Sequence, residues 1–428
     1  MYRFIYPSKD AYIYELNTND EKSFGGDDNL ILKKDFDGLT GLNGVSRILL
    51  KFDFTEISKS IVSGDISNPS YYLRLYEQKT SELSPTYQIN AYALSSSWEN
   101  GTGYTTQNPN SRNGVSWARR DESFDNKTWD VPGLASSEIP MTSASKPLSL
   151  GHPHLDGGSR KEGGGVWYDE GGIATSDWTI SSIAAISSQS FSYQSADIEM
   201  NVTDIANKWL DGTRQNEGFI VKWNSNDSNM NVTSQSQEDN SNISGDINFF
   251  SFNANSIYSP KIEVRWDEHT NDYGGTFEDY EEEFDDGTGT FSFPDVPIDP
   301  IMIDGTDDNY MFMIGLRKTY RETEKPRFRI AARERYITKT VSTTKSTITN
   351  KLVPHDSGSY SIIDVETGET LIPFGDYSLL STDAYSNYFK LKLDGFINNR
   401  LYRILLRLRL NDGRYRIFDD GWEFRVVK

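Results

Sequence analysis

The chain has 428 residues with no cysteine, and its formal net charge at pH 7 is −20. This length exceeds what one hydrophobic core usually organises, so two or three domains are expected. The lack of cysteine excludes disulfides, thiolate zinc sites and cysteine nucleophiles, and it favours synthesis in a reducing cytoplasm. The negative charge argues against nucleic acid as a partner.

Charge is distributed unevenly along the chain. Residues 310–428 hold 21 Lys+Arg against 14 Asp+Glu, which leaves 22 of the 43 basic and 49 of the 63 acidic residues before them. Two interpretations stand. Faces of opposite sign could attract each other, including between copies of the chain, or an acidic domain simply precedes a mildly basic one.

Targeting and membrane segments are not visible. Residues 1–7 lack a basic region followed by a long apolar stretch, so no signal peptide is predicted. No window approaches about 18 consecutive apolar residues, which a membrane-spanning helix would need. We therefore expect no membrane partner.

Short aromatic and aliphatic runs recur through the first 94 residues. Each run is bounded by Gly, Asn, Asp, Ser or Pro, a pattern typical of the strands of a β-sandwich. The runs are Ala11–Tyr14, Leu30–Leu32, Arg47–Phe54, Tyr71–Tyr76 and Tyr87–Leu94.

The sequence changes character between residues 95 and 190, where Gly, Ser, Asn and Asp dominate. A disordered segment seldom contains many tryptophans, yet this region has five. We interpret it as long loops folded over one rim of the sandwich and fixed by aromatic anchors. Alternatively, exposed rings could stack against the apolar faces of sugars or contact a partner. The residues concerned are Trp98, Trp117, Trp129, Trp167 and Trp178.

One short helix is predicted after this region. Asn201 or Thr203 can cap it, Ile205 and Trp209 share an apolar face, and Gly212 ends it. Three further strands are then expected, at Gly218–Trp223, Ile247–Phe252 and Lys261–Trp266.

Residues 269–304 have the composition of an extended linker. An acidic run precedes closely spaced prolines, and both self-repulsion and proline extend a chain. Recruitment of a basic partner surface, including the chain's own C-terminal domain, is the alternative role for the run. Its acidic residues include Glu281, Glu282, Glu283, Asp285 and Asp286.

Residues 305–428 predict a second, immunoglobulin-like sandwich. Arg403, Arg407 and Arg409 alternate with Ile and Leu, which places the guanidinium groups on the outward face. The turn Asn411–Gly413 predicts a hairpin. The fold class is therefore all-β, with an N-terminal jelly-roll sandwich over residues 1–268 and one short helix.

Candidate chemistry is sparse. With four histidines and no catalytic motif, we predict that the chain is not an enzyme and needs no cofactor. The pair His152 and His154 is interpreted as part of a plain loop, with ligation of a metal as the alternative. Calcium is the metal that the abundant carboxylates would suit. The candidate ligands of a structural calcium are Asp10, Asp27 and Asp28.

Several motifs together resemble the DNRLRE-type carbohydrate-binding-like domains. They follow in the family's order over about residues 1–268, and the resemblance implies a jelly roll. The stretch from 95 to 190 is longer than is usual in the family. The matching segments are Asp10–Tyr14, Phe24–Leu30, Ser46–Phe54, Tyr72–Tyr76, Ser97–Glu99, Gly114–Trp117, Val202–Gly212 and Ser259–Val264.

The chain also resembles virion structural proteins of contractile-tailed marine phages. The segments Pro326–Ile330, Ile372–Tyr377 and Arg414–Asp420 carry this similarity. It implies a non-enzymatic structural or adaptor protein of a tail, neck or baseplate, made in the host cytoplasm and located in the virion. Its partners would be other virion proteins and copies of itself. The alternative is an adhesin or receptor-binding module for host-surface glycans.

Overall fold

A computed structural model describes most of the two predicted sandwiches. It covers residues 1–15, 22–36, 43–81, 83, 85–106, 113–123, 129, 164–167, 187–192, 195–223, 244–270, 309–336, 352–353, 357–383, 385–409 and 413–428. Three sets of predicted features lie outside these residues, namely Trp178, the histidine pair, and the acidic run 278–286 with most of the linker.

The elements before residue 266 are mostly strands. In chain order they are β1 (Tyr2–Ile5), β2 (Pro7–Glu15), β3 (Asn29–Phe36), β4 (Asn43–Phe52), α1 (Thr55–Val62), β5 (Ser70–Leu75), β6 (Glu77–Ser81), β7 (Thr86–Ala93), β8 (Ser187–Ser192), β9 (Ile198–Asn201), α2 (Thr203–Leu210), β10 (Phe219–Trp223), β11 (Gly245–Phe250), a 3₁₀ turn (Phe252–Ala254) and β12 (Lys261–Arg265).

The elements after residue 308 are nearly all strands. They are β13 (Asn309–Ile314), β14 (Thr319–Arg321), β15 (Arg327–Glu334), β16 (Gly358–Asp364), β17 (Thr370–Ile372), a 3₁₀ turn (Asp376–Ser378), β18 (Ser381–Thr382), β19 (Asn387–Lys390), β20 (Leu401–Arg409) and β21 (Tyr415–Val427).

The chain divides into two compact units. The first, called here the N-unit, comprises residues 5–62 and 70–263, and the second, the C-unit, comprises residues 1–4, 63–69 and 264–428. The sequence did not predict that residues 1–4 and 63–69 group with the C-terminal residues. Much of the linker that was to separate the domains lies outside the described residues, so its extended form stays a prediction.

The N-unit is built around one large antiparallel sheet. Among the described residues its strand order is β6-β11-β3-β4-β10-β7-β8, with β2 also paired to β4. A smaller sheet carries β9, β5 and β12 in that order. Burial alternates along β5, where Tyr71, Leu73 and Leu75 are buried and the intervening residues are half-buried. The central strand β10 is buried throughout, so both of its faces are covered.

The described part of the chain contains two α-helices, the predicted one and a second that the sequence did not indicate. The predicted helix is confirmed as α2, and Gly212 follows it with φ of +77°. The second helix, α1, begins where Asp53 Oδ1 accepts hydrogen bonds from the backbone N and Oγ1 of Thr55, at 2.9 and 2.6 Å. No described helix has the length and apolar character needed to cross a membrane.

The C-unit is a sandwich of two sheets. Their strand orders in the described residues are β13-β15-β19-β18 and β14-β21-β20-β16-β17, and β14 runs parallel to β21. Aromatic rings join the sheets, because Tyr360 stacks on Phe389 at 4.0 Å and Phe328 lies 5.2 Å from Phe424. An all-β fold of packed sheets is therefore confirmed.

Strand β20 confirms the predicted alternation of arginines. Tyr402, Ile404, Leu406 and Leu408 are buried, and the positions between them, which include the three arginines, are half-buried. Arg403 donates to Glu423 of the neighbouring strand at 2.8 Å. The predicted hairpin turn lies mostly outside the described residues.

Residues 2–4 complete the C-unit. The Tyr2 and Tyr377 rings meet edge to face at 6.4 Å, and the Phe4 and Phe396 rings lie 5.8 Å apart. The guanidinium of Arg3 pairs with the carboxylate of Asp394 at 2.6 Å.

Candidate functional site

Tryptophans that were candidates for glycan or partner contact lie in the core of the N-unit. Trp98, Trp117, Trp129 and Trp167 are each 3% exposed or less, and they share one cluster with aliphatic residues of β2, β4 and β10. A buried ring has no face open to a sugar. The predicted contact role is therefore wrong for these four, and the alternative role as anchors of the loops is the one that their burial supports.

Two buried cations hold the loop 164–167 against the large sheet. The Arg47 guanidinium lies 4.8 Å from the Trp117 ring and 5.3 Å from the Trp167 ring, and it donates a hydrogen bond to the carbonyl of Gly164. The Lys222 ammonium also contacts the Trp167 ring, at 4.8 Å from its centroid. These cation–π contacts orient the loop and bury its tryptophan.

Two of the three proposed calcium ligands, Asp10 and Asp27, accept hydrogen bonds from protein donors, and the third, Asp28, is exposed. Asp10 is 4% exposed and accepts a hydrogen bond from the backbone N of Phe252 at 2.8 Å, and its burial raises the pKa of the carboxyl to about 6. Asp27 accepts from the Tyr12 hydroxyl at 2.9 Å and from the Thr105 backbone N at 3.0 Å. Within the described ranges no three His, Asp or Glu side chains gather as metal ligands would, so a structural calcium stays an untested prediction.

Three loops meet at one rim of the N-unit, and they form the candidate site. We call residues 24–28, 99–105 and 251–255 the rim loops. Asn100 and Asn253 both donate side-chain hydrogen bonds to the Gly25 carbonyl, at 2.9 and 3.1 Å. Ser251 Oγ donates to the Asp27 carbonyl at 2.7 Å. The turn 24–28 therefore fixes the two other loops.

Glycine is required where these backbones cross. A Cβ on Gly25 would lie 1.8 Å from the carbonyl oxygen of Asn100, which no real contact allows. The backbone N of Gly26 donates to the Gly103 carbonyl at 2.9 Å, and a Cβ on Gly26 would lie 2.9 Å from the Tyr104 ring. The Gly25–Gly26 pair thus allows the loop 99–105 to lie directly on the turn.

The rim loops expose two aromatic side chains. Tyr104 is 48% exposed and Phe252 is 47% exposed, although most large apolar residues of the unit are buried. Phe252 also contacts the Tyr6 ring, with centroids 6.5 Å apart. The amide side chains of Asn253 and Asn255 lie on the same loop as Phe252. Half-exposed rings beside amide groups can stack on a sugar and hydrogen-bond its hydroxyls.

The structure brings together several motifs that the sequence singled out. Phe24–Leu30 and Ser97–Glu99 meet at the rim. Gly114–Trp117 pairs with Ser97–Glu99, because the backbone N of Val115 donates to the Glu99 carbonyl at 2.7 Å. Sequence reasoning did not identify Tyr104 or Phe252 as contact residues. The signal that could have found them is a single aromatic residue in a loop otherwise rich in Gly, Asn and Thr.

Comparison with known proteins bears on the N-terminal part of the chain. Residues 2–151 match the model of carbohydrate-binding module family 96. The chain therefore contains a carbohydrate-binding-like domain, and the matched range includes two of the three rim loops. Such a module binds and does not catalyse, which agrees with the predicted lack of catalysis for this range.

Other comparisons add little. No curated protein sequence matches the chain. Among solved structures, the adhesin domain of Epf from Streptococcus pyogenes is 8% identical to the chain, with 98% of this chain and 91% of that chain covered. Its TM-score of 0.17 is too low to support any conclusion about fold or function.

Proposed function

We propose that the chain is a non-catalytic carbohydrate-binding protein that recognises a glycan with the rim loops of its N-unit. The match of residues 2–151 to a carbohydrate-binding module family is the observation that carries this proposal. It supports the alternative function derived from the sequence, recognition of host-surface glycans, better than the architectural one.

The geometry of the rim loops supports the same function. Sugars offer an apolar ring face and a rim of hydroxyls, so their binding sites combine aromatic rings with amide and carboxylate groups. Tyr104 and Phe252 supply the exposed rings. The hydrogen bonds at Gly25 and Asp27 hold both loops before any ligand arrives, which lowers the entropic cost of binding.

A structural role in a phage virion stays a prediction of the sequence. None of the matches concerns a virion protein, and the virion location and assembly partners are untested. The two functions are compatible, because a glycan-binding module could occupy an exposed position in a particle.

Glycan-array screening of the full chain, followed by calorimetric titration of the best ligand, tests the proposal. Tyr104→Ala and Phe252→Ala should each weaken binding about two- to tenfold, since each removes one stacking surface of about 0.5–1.5 kcal/mol. Tyr385→Ala is the matched control, because Tyr385 is 77% exposed and belongs to the C-unit. Its affinity should equal that of the unmodified chain.

The proposal fails if no glycan on the array binds the folded chain. The assignment to the rim loops fails if both rim variants bind the glycan as well as the Tyr385 control does. Circular dichroism melting of each variant separates lost contact from lost folding, and half-exposed rings should change the melting temperature little.

A further inference from the structure

The C-unit contains a cleft with a volume of about 480 Å³. Trp266, Lys325, Lys390, Lys392 and Asp65 are among the residues that line it. A volume of this size is in the range of sites for small molecules, about 300–1,000 Å³. The cleft lies in a different unit from the rim loops and takes no part in the proposed function.

Lys392 is the unusual residue of this cleft. It is 7% exposed, and its ammonium lies 5.1 Å from the centroid of the Trp266 ring. Within the described part of the chain, no carboxylate forms an ion pair with it. Burial lowers the pKa of Lys392, and the nearby positive charges of Lys325 and Arg3 lower it further, while the carboxylates of Asp394 and Asp65 act in the opposite direction with smaller effect.

Neighbouring carboxylates are already engaged with other groups. Glu268 pairs with Lys390 at 2.8 Å. Asp394, which is closest in sequence, pairs with Arg3 at 2.6 Å. A buried ammonium without such a partner is costly, because desolvation penalises its charged form. An anion in the cleft would therefore be stabilised by an ammonium with which no carboxylate of the described residues forms an ion pair.

We propose that this cleft binds a small molecule through a carboxylate group placed between Lys392 and Lys325. One negative charge suffices to balance the buried ammonium, and the carboxylates of Asp65, Asp267 and Glu268 on the same lining would repel a more highly charged anion. The Trp266 ring, 5.1 Å from the ammonium, helps to orient it through a cation–π contact. The site requires only these residues of the C-unit.

Calorimetric titration of the full chain at low ionic strength tests this proposal. The probes are glucuronate, acetate and glucose, because glucuronate and glucose share a ring and differ in the carboxylate. Glucuronate should bind at least tenfold more tightly than glucose. If acetate binds as well as glucuronate, the carboxylate alone is recognised, and if it binds more weakly, the ring contributes.

Lys392→Met keeps the length of the side chain and removes its charge, so glucuronate affinity should fall at least tenfold. Without ligand this variant should melt at or above the temperature of the unmodified chain, because a desolvated charge has been removed. Lys325→Ala, at an exposed position, should weaken binding by a smaller factor. Lys59→Met on α1 is the matched control, since its side chain is 68% exposed.

Equal affinity for glucose and glucuronate would overturn the proposal, and so would unchanged glucuronate binding by Lys392→Met. The Tyr104→Ala variant distinguishes the two sites. It should retain glucuronate binding in the cleft even where glycan binding at the rim is lost, and loss of both in that variant would place the carboxylate at the rim loops instead.

Discussion

The buried carboxyl of Asp10 should make the N-unit less stable at neutral pH than at mildly acidic pH. Its pKa of about 6 in the folded chain exceeds the value of about 3.9 expected in the unfolded chain. The folded state therefore binds the proton more tightly. The destabilisation is complete above about pH 6, fades as the pH falls, and is absent below the unfolded pKa.

Asp10→Asn removes the charge and leaves an oxygen that can accept the hydrogen bond of the Phe252 backbone N. A difference of about two pKa units corresponds to about 3 kcal/mol, an upper value for the gain in free energy of unfolding at pH 7. At pH 4 the variant and the unmodified chain should have nearly equal stability. Glycan affinity should not change, because the loop stays attached.

Urea unfolding at several pH values between 4 and 8 measures this difference. Asp28→Asn is the matched control, because it makes the same chemical change at an exposed position in the turn 24–28. The reasoning is refuted if Asp10→Asn is less stable than the unmodified chain at pH 7, or if its gain does not vary between pH 4 and 6.

Two further substitutions test the core and the rim. Trp117→Ala should lower the free energy of unfolding by about 3–5 kcal/mol in urea titrations, and a loss below about 1 kcal/mol would contradict its place in the core. Gly25→Ala should lower both the melting temperature and the glycan affinity, because its Cβ would overlap the Asn100 carbonyl. Gly375→Ala is the control, because its Cβ would meet nothing within 4 Å, and it should change neither the melting temperature nor the glycan affinity. If Gly25→Ala and Gly375→Ala had equal effects, the close approach of the Asn100 backbone to Gly25 would be refuted.

Much of the architecture could be predicted from local patterns. Alternation of apolar residues identified strands such as β5 and β20, since side chains of a strand point to opposite faces. The apolar stripe of α2 was equally clear. Helix α1 was missed because its sequence, Thr55–Val62, is short and mostly polar, and Ile57 is its one buried residue.

The candidate site was less predictable. Composition marked Trp98 and Trp117 as important, but a list of residues does not show which face of a ring is covered. The ring of Trp117 is covered by Arg47, and its backbone is bonded to the loop 164–167, both of which lie far away in the sequence. The loops that carry Tyr104 and Phe252 are likewise attached to the turn 24–28 by long-range hydrogen bonds that no local pattern encodes.

The grouping of residues 1–4 with the C-unit has a consequence for how the chain can be divided and how it folds. Cutting the chain after residue 263 would not release an intact second half, since Phe396 and Asp394 would lose Phe4 and Arg3. During synthesis these first residues emerge long before their partners, so this unit closes only after nearly the whole chain exists. Contacts between such distant segments slow folding, and the C-unit should therefore be the later of the two to form.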